Sequence, residues 1–70
     1  MMTIIEALRW TLNSTIDLMK KYPDDFHIRN GFYMQAYGAV SMLSTTEYDE
    51  EARTLWEEYL PRFQEMLWGR

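Results

Sequence analysis

Side chains able to perform metal or nucleophilic chemistry are few in this sequence. His27 is the only histidine and there is no cysteine, so we expect no Ser–His, Cys–His or zinc constellation within one chain. Asp24 and His27 have the acid-x-x-His spacing of di-iron bundles, but those bundles need the motif twice and two further inward glutamates. We therefore expect no metal and no cofactor.

Neighbouring carboxylates are the second possible source of chemistry. They occur as two adjacent pairs in the last third of the chain, Glu50 with Glu51 and Glu57 with Glu58. These acids fall on a solvated helix face, with no cleft that would shift their pKa values. The three glycines are isolated, so no glycine-rich phosphate loop exists. We predict that the protein is not an enzyme and that these acids form a charged, solubilising face.

The length and net charge of the chain limit which classes of function and which kinds of partner remain. Seventy residues with 11 acidic and 7 basic side chains give a formal charge of −4, which disfavours direct nucleic-acid binding. A chain of this size forms a single domain, here expected over residues 1–70, with a narrow stability margin. Without disulfides, self-association is the expected source of extra stability. The N-terminus lacks a signal-peptide pattern and the uncharged stretch is too polar and short for a membrane span, so we expect a cytoplasmic protein without membrane contact.

Apolar residues recur with helical periodicity throughout, which predicts an all-α protein. Short turns between the segments favour a small antiparallel three-helix bundle, with helices at about 4–21, 25–44 and 47–67. In an alternative arrangement, the first helix crosses a long hairpin of the other two. Thr3 and Glu6 have capping-box spacing at the start of the first helix. Thr46 is expected to cap the third helix, and Pro61 to kink it.

Two local features of these helices leave questions open. Asn30-Gly31 commonly marks a turn, so the second helix either runs through it or restarts near Asn30; the phase of Phe26 with Tyr33 favours a continuous helix. In the third helix, Asp49 to Arg53 and Glu58 to Arg62 have the i, i+4 spacing of ion pairs.

The uncharged stretch from Asn30 to Thr46 is the segment around which we expect the fold to be organised. One helical face is apolar, and the opposite face carries Gly31, Met34, Gly38 and Met42 instead of charges. A helix that is apolar nearly all round is a buried one. A solvent-facing glycine costs stability without a return. The glycines therefore accommodate either an aromatic side chain of the same bundle, such as Trp56 or Phe63, or a second copy in a symmetric dimer. We predict the dimer.

Trp10 is the remaining unusual residue, because helical phase places it on the polar face of the first helix. It either lies flat across that helix under lysine stems or anchors another protein.

These features are compatible with two functions. The first is a regulatory or adaptor protein that binds an unidentified protein partner through an aromatic-rich helical surface as a homodimer. The alternative is a small acidic inhibitor of phage or plasmid type, in which Glu50, Glu51, Glu57 and Glu58 mimic nucleic acid in a basic groove.

Overall fold

The computed structural model describes residues 1–69 and contains three helices. They are α1 (Ile4–Lys20), α2 (Phe26–Leu43) and α3 (Asp49–Trp68), so every bound lies within two residues of its predicted position. Each helix contacts both of the others. The prediction of an all-α three-helix bundle is confirmed.

Contacts between helix ends define the direction of each helix. The ring of Phe26, at the start of α2, lies 5.1 Å from the ring of Trp68 at the end of α3. Ile4, at the start of α1, lines the same groove as Met42 at the end of α2. α1 and α3 therefore run in one direction and α2 in the other. Since α1 lies along α3 from Ile5 to its last turn, the arrangement with a crossing first helix is not adopted.

The first two helices begin with side-chain caps, and that of α1 is the capping box that the sequence predicts. Thr3 Oγ1 accepts a hydrogen bond from the Glu6 backbone N–H at 3.1 Å, and the Glu6 carboxylate accepts one from the Thr3 N–H at 2.8 Å. This reciprocal box satisfies two of the backbone donors that a helix start leaves without partners. Asp25 caps α2 by accepting from the Ile28 N–H at 3.1 Å.

The start of α3 differs from its prediction. Thr46 does not cap this helix, which begins at Asp49 after Tyr48 and has no side-chain cap. The hydroxyl of Thr46 instead donates to the carbonyl of Leu43 at 2.6 Å, and those of Ser44 and Thr45 also donate to carbonyls in the last turn of α2. Such side-chain bonds compete with helix continuation. The connection therefore lengthens, and α3 starts two residues later than expected.

Asn30-Gly31 does not interrupt α2, which is continuous from Phe26 to Leu43. Arg29 falls in the apolar sector of this helix, and its partners explain how a cation is accommodated there. One guanidinium nitrogen donates to the carbonyls of Tyr22 (3.0 Å) and Pro23 (2.6 Å), and the other approaches the Leu67 carbonyl at 3.5 Å. Arg29 thus joins the α1–α2 turn to the end of α3.

Pro61 lies inside α3, which continues to Trp68 as the unbroken phase of its apolar stripe predicts. The kink at Pro61 stays a prediction. The helix ends at Gly69, whose N–H donates to the Glu65 carbonyl at 2.8 Å. A Cβ at Gly69 would lie 2.6 Å from that same oxygen, so the close approach of the chain requires glycine here.

The core is supplied unequally by the three helices. It consists of Leu8, Leu12, Ile16, Met19, Ala36, Val40, Ala52, Leu55, Trp56, Tyr59, Phe63 and Leu67. α1 buries five of its 17 residues and α3 six of 20, whereas α2 buries two of 18. The expectation that α2 is covered on both sides is therefore wrong for a single chain. α1 and α3 pack against one face of α2 and leave its other uncharged face open.

Candidate protein-interaction surfaces

The open face of α2 carries the four residues that the sequence places opposite the core. Met34 and Met42 are 53% and 75% exposed. Gly31 is also exposed, and Gly38 is half-buried. A Cβ built on Gly31 or Gly38 would meet no atom of the described residues within 4 Å. This α2 outer face, defined as Gly31, Met34, Gly38 and Met42, is a smooth and uncharged strip.

The two aromatic residues proposed as packing partners of the glycines lie elsewhere. The Trp56 ring is 5.8 Å from Tyr33 and 5.9 Å from Tyr37, and the Phe63 ring is 6.0 Å from Tyr33. These tyrosines contact α3, and neither the Trp56 ring nor the Phe63 ring comes within 4 Å of a Cβ built on Gly31 or Gly38. The interpretation in which Gly31 and Gly38 accommodate an aromatic side chain of the same bundle is therefore wrong.

Trp10 projects from α1 and is 62% exposed, on the polar side of the helix where its phase places it. Trp68 is a second exposed tryptophan, at 70%, and sequence reasoning did not select it. Trp68 stacks on Phe26 through one face, whereas Trp10 makes no ring contact among the described residues. Of the two tryptophans, Trp10 is the one whose ring has no aromatic neighbour.

An apolar groove between α1 and α2 was also missed by the sequence reasoning. It is an open depression of about 260 Å³ that is lined by Ile4, Ala7, Leu8 and Thr11 of α1 with Ala39, Met42 and Leu43 of α2. We call it the α1–α2 groove. Ile4, Ala7 and Thr11 repeat at helical spacing beside the buried residues of α1. Alanine and threonine are also common on solvated faces, so this spacing does not by itself predict a groove.

The acidic residues of α3 separate into two groups. Glu50, Glu51 and Glu58 share a cleft of about 450 Å³ with Glu47, and the remaining walls come from Ile5, Arg9, Thr54 and Leu55. We call this the acidic cleft. Glu57 is exposed but does not line it. The structure thus brings together three of the four acids that the sequence singled out, in a cleft that was not expected.

Arg9 partly neutralises the acidic cleft. Its guanidinium donates to the Glu58 carboxylate at 2.9 Å and approaches the Tyr59 hydroxyl at 3.4 Å. The hydrogen bond from Arg9 holds the pKa of Glu58 below its ordinary value. Glu58 does not form the predicted direct ion pair with Arg62, since it bonds to Arg9 across the α1–α3 contact, although the charge of Arg62 also lowers the Glu58 pKa. The predicted Asp49–Arg53 pair is present at 3.3 Å.

Metal sites and membrane-spanning helices are two further features for which the described residues were compared with known requirements. Within residues 1–69, no three histidine, cysteine, aspartate or glutamate side chains are grouped so that they could hold a metal ion. None of the three described helices has the length and apolar character needed to cross a membrane. Comparison of the chain with protein-family models, curated proteins and solved structures returned no match.

Proposed function

We propose that this protein is a non-catalytic protein–protein interaction module, a regulatory or adaptor protein, that acts as a homodimer. The observation that carries the proposal is the α2 outer face. α2 has no charged residue after Arg29, yet it buries only two residues within the chain. An uncharged helix face that the chain itself leaves open is a natural contact for a second copy.

The glycines favour a helix as the covering element. Gly31 and Gly38 are seven residues apart and lie close to one line along α2, since seven residues complete nearly two turns. A row of glycines lets another backbone approach closely, as small residues do at helix–helix contacts. Within the single chain they only cost stability, because each lowers helix propensity by about 0.8–1.0 kcal/mol relative to alanine. A symmetric dimer uses the same face of both copies.

Leucine substitution tests this assignment. Gly38→Leu places a branched side chain on the proposed contact, so we expect it to weaken the dimer while the helical circular dichroism signal is retained. Gln64→Leu adds the same side chain at an exposed position of α3 and is the matched control. Equal dimer affinity for the two variants in sedimentation equilibrium would exclude the α2 outer face as the contact.

The acidic cleft supports a second candidate function, a small acidic inhibitor that blocks the basic groove of a nucleic-acid enzyme. Glu47, Glu50, Glu51 and Glu58 surround one concavity, which is the arrangement that a basic side chain of a partner would enter. Arg9 offsets one of these charges, which makes this the weaker proposal. Affinity of such an inhibitor for its target falls steeply with ionic strength, whereas an apolar contact through α2 does not.

A further inference from the structure

We draw no further inference here: the strongest candidate, the open α1–α2 groove that adjoins the α2 outer face at Met42, is an unpartnered apolar surface, and nothing in the structure shows what covers it.

Discussion

Replacing both helical glycines of the α2 outer face with alanine should stabilise the single chain. An alanine Cβ at Gly31 or Gly38 meets no described atom within 4 Å, so the substitution adds no steric cost. Each glycine costs about 0.8–1.0 kcal/mol relative to alanine in a helix interior. The double variant Gly31→Ala/Gly38→Ala therefore gains about 1.6–2 kcal/mol if the two sites are additive. Since 1 kcal/mol shifts the Tm of a domain of this size by about 4–8 °C, the melting point should rise by about 6–16 °C.

Thermal denaturation followed by circular dichroism at submicromolar concentration measures this effect on the dissociated chain. Gly69→Ala is the control with opposite sign, because its Cβ would lie 2.6 Å from the Glu65 carbonyl oxygen. It should lower the melting point by loosening the last turn of α3. A double variant with an unchanged or lower melting point would refute the reasoning, since it would show that the glycines already contact atoms of their own chain.

The core and the polar contacts lead to three further predictions about the stability of the folded chain. Leu12→Ala, at a fully buried position, should cost about 2–5 kcal/mol in urea denaturation. Arg29→Lys should cost about 1–3 kcal/mol, because a single ammonium cannot reach the Leu67 carbonyl while it bonds those of Tyr22 and Pro23. Full stability in this variant would show that the second arm of the guanidinium is dispensable. The pKa values of Glu6 and Glu58 are lowered by hydrogen bonds from Thr3 and Arg9. Both hydrogen bonds therefore stabilise the folded state above the ordinary glutamate pKa of about 4.3, and this contribution is lost as pH falls through the lowered values. Denaturation at pH 7 and at pH 3 measures the loss of stability. Glu58→Gln should make that loss smaller.

Helical periodicity and local capping rules account for most of the fold. The stripe of Leu8, Leu12 and Ile16 predicts the buried side of α1, and the Thr3–Glu6 spacing predicts its first turn, because these signals depend only on neighbours along one helix. The predicted start of α3 is wrong because the Thr46 hydroxyl donates to the preceding Leu43 carbonyl and accepts from the Tyr48 N–H, not from an N–H in the first turn of α3. The sequence does not distinguish a turn of this kind from a helix cap.

Helical phase alone decides which residues of one helix share a face, as Gly31, Met34, Gly38 and Met42 do on α2. The sequence did not predict that the single chain leaves this face open, because that depends on how α1 and α3 pack against α2. The α1–α2 groove and the acidic cleft each need the positions of two helices. The partner of Glu58 was wrong for the same reason, since Arg9 lies 49 positions away in sequence and only the packing of α1 on α3 brings it close.

Sedimentation equilibrium of the wild-type chain over a wide concentration range tests the central claim most directly. The chain mass is 8.5 kDa. If the open face of α2 is a contact between two copies, the apparent mass should rise with concentration to twice that value in the micromolar range and change little with added salt. A mass that stays at 8.5 kDa up to the highest concentrations, at low and high ionic strength, would contradict the homodimer and leave the acidic cleft as the surface to pursue.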